Sequence, residues 1–320
     1  MQKIALLADI AQPLRPDTLH APTLFAYELA ETLHRSAQET GGLAIDLVAR
    51  KHSVTSLPLV SIDADAGAAD NPLLHYAFQD SVYLQLVLSG AFDEYALVHC
   101  LAPIVSPLVL LSMKGIPVVQ TLLTDDGHPS ALLPPQWLGK GLRQVRIAPY
   151  ELTDARASIP PSTDLYRYCP GTESGGYVLW LGRENEAGES VARAVADALR
   201  QPLALFDEMQ AQAQLQGASV VLHLDAGKPY DALWLMRALA CGVPFAAWQS
   251  TEIEPFFTRA GLGAFAPEGE VEELVKNIKG LPFGAEASAM RREYALAMCG
   301  RRSAAARYRE VYKSILSPKD

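Results

Sequence analysis

Short apolar runs alternate along most of the chain with longer stretches whose apolar residues recur at helical spacing. Residues 4–8, IALLA, form a compact apolar run ending at Asp9, the pattern of a strand buried on both faces. After the loop AQPLRPDTLHAP, Phe25, Leu29 and Leu33 share one stripe of a helix predicted over residues 23–36. Residues 43–49 and 57–62 read as the next strands, and the Ala-, Asp- and Gly-rich stretch 63–71 as a surface loop. A helix over 72–89 leads to strands at 95–100 and 116–123, and residues 144–149 close a first domain. The stretch that follows, up to 176, carries prolines and serines and reads as a connection between domains.

The second half opens with the strand YVLWLGR at 177–183, followed by a helix over 190–200 supported by Val191, Ala194, Val195 and Leu199. A short strand at 203–206 and a short helix at 208–215 come next. Residues 219–248 then form a strand, helix, strand unit. Val220, Val221, Leu222 and Leu224 run into the loop Asp225-Ala226-Gly227, and Asp231 is placed to cap a helix carrying Leu233, Met236 and Ala240. Gly242 stands where a residue of positive φ ends such a helix, and 243–248 is the next strand, with Pro244 near its start. Thr251-Glu252-Ile253-Glu254 fits a capping box, which predicts a helix covering Phe256 and Phe257. A helix over 270–278 precedes a basic helical segment over 285–316, with Arg291, Arg292, Arg301, Arg302, Arg307, Arg309 and Lys313. Units of this kind build open parallel sheets, whose ligands lie beyond the carboxyl ends of the strands. Binding is therefore expected at the loops 225–231 and 249–252.

The segment LMRALACGVPFAAW at 235–248 resembles the "EAMACGxPVVA" signature of the nucleotide-sugar domain in GT-B glycosyltransferases, family 4 in particular, and YVLWLGR resembles the "GR" strand that opens that domain. Residues 95–100 resemble the family's "DVVHxH" strand and 116–123 its "xPVVxTxH" strand. The resemblance implies an α/β protein of GT-B fold, two Rossmann-like domains with a cleft between them. It divides the chain into an acceptor-side domain at 1–150, a linker at 151–176, a nucleotide-sugar domain at 177–300 and a last helix at 301–320 crossing back onto the first domain. The implied activity is transfer of a sugar from a nucleotide-sugar donor to an acceptor, with the nucleotide-sugar as co-substrate and no further cofactor or metal.

Such a transferase must neutralise a leaving diphosphate, and positive charge with backbone N–H groups is the usual means. Arg183, with Gly182 before it, matches the family's donor-phosphate arginine; read from the residues alone, it is a surface arginine pairing with Glu184 or Glu186. Lys228 lies in the loop before a helix start, where Asp231 competes with a phosphate for the same N–H groups. Ser250 and Thr251 complete the expected donor contacts. His99 is placed either to touch acceptor or sugar, or as a buried, hydrogen-bonded histidine. Asp125, with Asp126 and His128, either serves as acid or base or forms a turn. Several family positions differ here: the Gly-Gly pair of the first loop is absent, Leu101 and Leu123 replace histidines, Ala187-Gly188 stands at the lysine, and Pro229 and Arg237 replace the paired glutamates. These departures motivate a second reading, a catalytically degenerate homologue that binds a ligand or a protein partner.

Composition narrows the partners. The formal net charge of −9 argues against a nucleic-acid ligand. Cys100, Cys169, Cys241 and Cys299 are widely spaced with no C-x-x-C pair, which signals neither a zinc site nor a redox dithiol. No signal-peptide pattern opens the chain and no apolar run is long enough to span a bilayer, so a cytoplasmic protein is expected. The basic last helix allows a peripheral membrane contact, or is a solvated face.

Overall fold

A computed structural model of the chain describes residues 1–15, 21–63, 72–122, 141–147, 157–159, 165, 167–171, 176–182, 188–207, 210–224, 232–251 and 253–317. The chain divides into two compact units, one of Met1–Ile159 with Ala304–Asp320, the other of Pro160–Ser303.

The first unit holds β1 (Gln2–Leu7), β2 (Leu43–Arg50), β3 (Leu59–Ile62), β4 (Leu97–Cys100), β5 (Val118–Leu122), β6 (Leu142–Ile147) and β7 (Ala157–Ile159), paired in parallel in the order β3-β2-β1-β4-β5-β6-β7. Its helices are α1 (Ala21–Thr40), α2 (Pro72–Leu88) and α3 (Ser106–Met113). Ile4 to Leu7 are wholly buried, as an unbroken apolar run in a sheet covered on both faces should be. Phe25, Leu29 and Leu33 are buried too, so the predicted stripe of α1 is the packed one. Val98, Cys100 and Val118 form a core with Tyr83 and Val87 of α2 and Leu108 and Leu111 of α3. Strand order reverses between β1 and β4.

The second unit holds β8 (Tyr177–Trp180), β9 (Leu203–Leu205), β10 (Ala218–His223), β11 (Phe245–Trp248) and β12 (Gly263–Ala266), parallel in the order β12-β11-β10-β8-β9. Its helices are α4 (Glu189–Leu199), α5 (Ala211–Gly217), α6 (Ala232–Ala240), α7 (Val271–Lys279) and α8 (Ala285–Cys299). Here strand order reverses between β8 and β10.

Four expectations change. The apolar stretch before β5 contains α3, with Pro107 in its first turn, where the absent N–H costs nothing. β7 lies inside the predicted connection and pairs with β6. The capping-box helix is a three-residue 3-10 turn, Glu254–Phe256, without a side-chain cap, because Pro255 removes an N–H and Phe257 leaves helical geometry at φ −131 and ψ 50. The basic closing segment is two helices, α8 and α9 (Arg301–Leu316), separated by Gly300 in an extended conformation. From Ala304 on, α9 belongs to the first unit.

Among the described residues no helix is long and apolar enough to cross a membrane. All four cysteines are free, three of them buried.

Candidate functional site

In an open α/β sheet the ligand crevice lies beyond the carboxyl ends of the two strands that flank the reversal of strand order. In the second unit those strands are β8 and β10. β8 ends at Trp180 and leads through Leu181 into Gly182; β10 ends at His223 and leads through Leu224 into the loop before α6. The stretch of Gly182 and Arg183 and the expected binding loop 225–231 therefore leave from the strands at the reversal, whereas the other expected loop, 249–252, follows β11. Arg183, Lys228 and Asp231, which those loops carry, lie outside the described residues, as does Asp125 of the first unit.

Gly182 has a packing reason to be glycine. A Cβ there would lie 2.1 Å from Cζ2 of Trp180, whose indole is completely buried. The same indole lies beneath Gly188, which precedes α4, where an added Cβ would come within 3.0 Å of Cζ2 and 3.5 Å of the Leu224 Cβ. Trp180 thus packs beneath Gly182 and Gly188, and its Nε1 has no hydrogen-bond partner among the described residues. Its role was not read from the sequence, although a tryptophan two residues before a motif glycine is a visible signal. Ser250 and Thr251 follow β11 at the same carboxyl edge, one strand further out; Thr251 is exposed and Ser250 half-buried.

The ALACGVP segment is held from behind. Gly242 has φ 81, and a Cβ on it would lie 1.7 Å from the Ser288 Oγ of α8, so both conformation and space demand glycine. Arg291 of α8, itself fully buried, donates to the carbonyls of Gly242, Gly261 and Pro282. Arg292 donates through Nη1 to the carbonyls of Ala240 and Tyr168, both at 2.7 Å. These two arginines satisfy backbone carbonyls at and beyond the end of α6, and do not belong to a solvated basic face. Arg237, at the position of one family glutamate, is buried and stacked between Trp234 at 4.4 Å and Tyr168 at 4.9 Å.

His99 belongs to the first unit, in β4. It is fully buried, with Nδ1 2.7 Å from the Tyr312 hydroxyl and Nε2 2.8 Å from the Thr121 hydroxyl. The Thr121 hydroxyl is in turn 3.0 Å from that of Tyr308. Burial pushes the imidazole down to about 3, so the ring is neutral at physiological pH. With both nitrogens engaged and no exposure, His99 fits the buried, hydrogen-bonded alternative weighed for it and offers no open nitrogen to a substrate.

Among the described residues no group of three or more His, Cys, Asp or Glu side chains is placed to share a metal ion.

No protein-family model matches the sequence, and no curated protein is similar to it by sequence. Solved structures are similar over the whole length. The sucrose-phosphate synthase of Thermosynechococcus elongatus is 14% identical, with 100% of each chain covered and a TM-score of 0.72. A glycosyltransferase of Rickettsia africae ESF-5 is 10% identical, with 99% of each chain covered and a TM-score of 0.71. HepE of Anabaena, solved with UDP and glucose, is 12% identical, with 99% of this chain and 100% of that chain covered and a TM-score of 0.63. Two parallel α/β sheets, their strand orders and this likeness together identify the architecture: the chain has the GT-B fold of glycosyltransferases.

Proposed function

We propose that this protein transfers a sugar from a nucleotide-sugar donor to an acceptor hydroxyl, with the donor diphosphate held at the reversal between β8 and β10. The observation that carries the reading is the place of the two cations in the sheet. Motif resemblance selects Arg183, Lys228 belongs to a loop expected at a strand's carboxyl end, and the two stretches follow β8 and β10, the strands that flank the reversal. The neighbours add support: HepE was solved with UDP, with UDP-glucose, and with UDP and glucose.

In this reading Gly182 keeps the chain close over Trp180, and Arg183 and Lys228 neutralise the diphosphate as negative charge develops on departure. Asp231 caps the following helix, and Ser250 and Thr251 contact the sugar or nucleoside from the next strand end. Side chains and N–H groups suffice to hold the phosphates. The test is turnover: the protein is incubated with UDP-, GDP-, TDP- and ADP-sugars, and release of the nucleoside diphosphate is measured with and without a panel of monosaccharides. Release from one donor class, abolished by Arg183→Ala, is the expected result; no release from any donor would refute the reading.

A further inference from the structure

At four-residue intervals along α2, His75, Gln79 and Tyr83 hold the loop after β1. The Tyr83 hydroxyl donates to the Ala8 carbonyl, and Gln79 Oε1 accepts the Ile10 N–H at 3.2 Å. His75 Nε2 lies 3.5 Å from Asp9 Oδ1, which also accepts the Ala11 N–H at 2.6 Å. The loop leaves the carboxyl edge of the first sheet from β1, one of the two strands that flank its reversal.

Two of these contacts compete for one atom. Because Gln79 Oε1 takes the Ile10 N–H, it is the amide nitrogen Nε2 that faces the ring, 2.6 Å from His75 Nε2. That bond needs an unprotonated ring nitrogen, so neutral His75 accepts from Gln79 and carries its own proton on Nδ1. The ion pair with Asp9 needs a proton on the same Nε2. A protonated Nε2 would meet the Gln79 amide donor to donor, so the ring cannot keep both partners. Gln79 is fully buried, and turning its amide over to offer Oε1 to the ring would set its Nε2 against the Ile10 N–H instead.

Among the described residues, the charges acting on the ring are those of Asp9, from the loop after β1, and Arg50, from the end of β2. Asp9 favours the protonated ring, burial and Arg50 oppose it, and the balance raises the imidazole above its usual 6.5. The His75 side chain keeps 19% exposure, which lets it exchange its proton with solvent.

We propose that His75 is a proton-operated latch on the loop after β1. Neutral, the ring accepts from Gln79, which holds Ile10; protonated, it donates to Asp9 and displaces the Gln79 amide, so the hold on the loop passes from Ile10 to Asp9. The Asp9 hold is complete at low pH and is lost as pH rises through the raised value, above 6.5. The latch is a property of the first unit and stands whether or not the transferase reading does.

The test follows the full chain by NMR between pH 5 and 9, reading the His75 ring, the Gln79 side-chain amide and the Ile10 backbone amide. All three should titrate with one midpoint above 6.5. Asp9→Asn should lower that midpoint. Gln79→Glu, whose carboxylate accepts from Ile10 and from a protonated ring alike, should raise it. Gln79 and Ile10 signals that ignore the titration of the ring overturn the latch, as does a midpoint indifferent to Asp9→Asn.

Discussion

His99 and Tyr312 are 213 positions apart in sequence and 2.7 Å apart in space, joined through His99 Nδ1 and the Tyr312 hydroxyl. His99 Nδ1 meets the Tyr312 hydroxyl and Nε2 the Thr121 hydroxyl, so the neutral ring donates through one nitrogen and accepts through the other, and Thr121 shares a further hydrogen bond with Tyr308. Tyr308 and Tyr312 stand one turn apart on α9, and both are 1% exposed. A single imidazole thus fastens the end of the chain to β4 and, through Thr121, to β5.

Removing one partner leaves a buried polar atom unmatched, which costs roughly 1–3 kcal/mol. Tyr312→Phe should lower the denaturation midpoint by that amount while leaving nucleotide affinity unchanged. Loss of nucleotide binding in a folded Tyr312→Phe protein would mean that the pair acts in binding as well as in holding the helix.

The same ring sets an acid response. Unfolded histidine takes up its proton near pH 6.5, whereas folded His99 resists until about 3. Between those values the unfolded state binds more protons, so stability falls as pH drops, by up to about 1.4 kcal/mol per pH unit, with no contribution above the window. Urea titrations between pH 7 and 4 should show a shallower loss for His99→Gln than for the wild type. Parallel losses would exclude His99 as the source.

Glycine at 182 is demanded by Trp180. Gly182→Ala sets its Cβ against the indole and should cost about 1–3 kcal/mol, as overpacked cores do. Trp180→Leu in the same chain should recover part of that, giving a coupling energy in a double-mutant cycle. Additive losses would mean that the two positions do not share the space described.

Gly242 combines two constraints, φ 81 and the Ser288 hydroxyl. Gly242→Ala should cost about 2–5 kcal/mol from left-handed backbone and steric overlap together. Adding Ser288→Ala should return only the steric share, measured as a partial rise of the denaturation midpoint; full recovery would show that the backbone conformation costs nothing.

Much of this architecture was legible in the sequence. Runs such as IALLA and VVLHL are too short and too uniformly apolar for surface helices, and the stretches between them carry helical stripes, which together specify parallel strands with crossovers. The elements that escaped notice lack that contrast. The apolar Leu108 to Leu111 of α3 follows two prolines and has no polar face, and β7 is a three-residue strand recognised only by its pairing with β6. Gly182 and Gly242 were visible in the motifs, but their reasons, Trp180 and Ser288, depend on packing. Asp9 and His75 could not be paired in advance, because their proximity arises only when α2 lies across the loop after β1. His99 stood out as a motif residue, yet its two nitrogens are taken by α9 and β5, which no local pattern announces.

The most direct measurement is calorimetric titration of the wild type and of Arg183→Ala with UDP, GDP, TDP and ADP. A donor site at the β8 and β10 edge predicts micromolar binding of one nucleotide, about −8 kcal/mol, weakened roughly tenfold to a hundredfold by Arg183→Ala through loss of a charge-assisted contact. Absence of binding at millimolar nucleotide, or tight binding indifferent to Arg183→Ala, would contradict it; the former would direct attention to a non-catalytic partner, the latter to a different phosphate-binding loop.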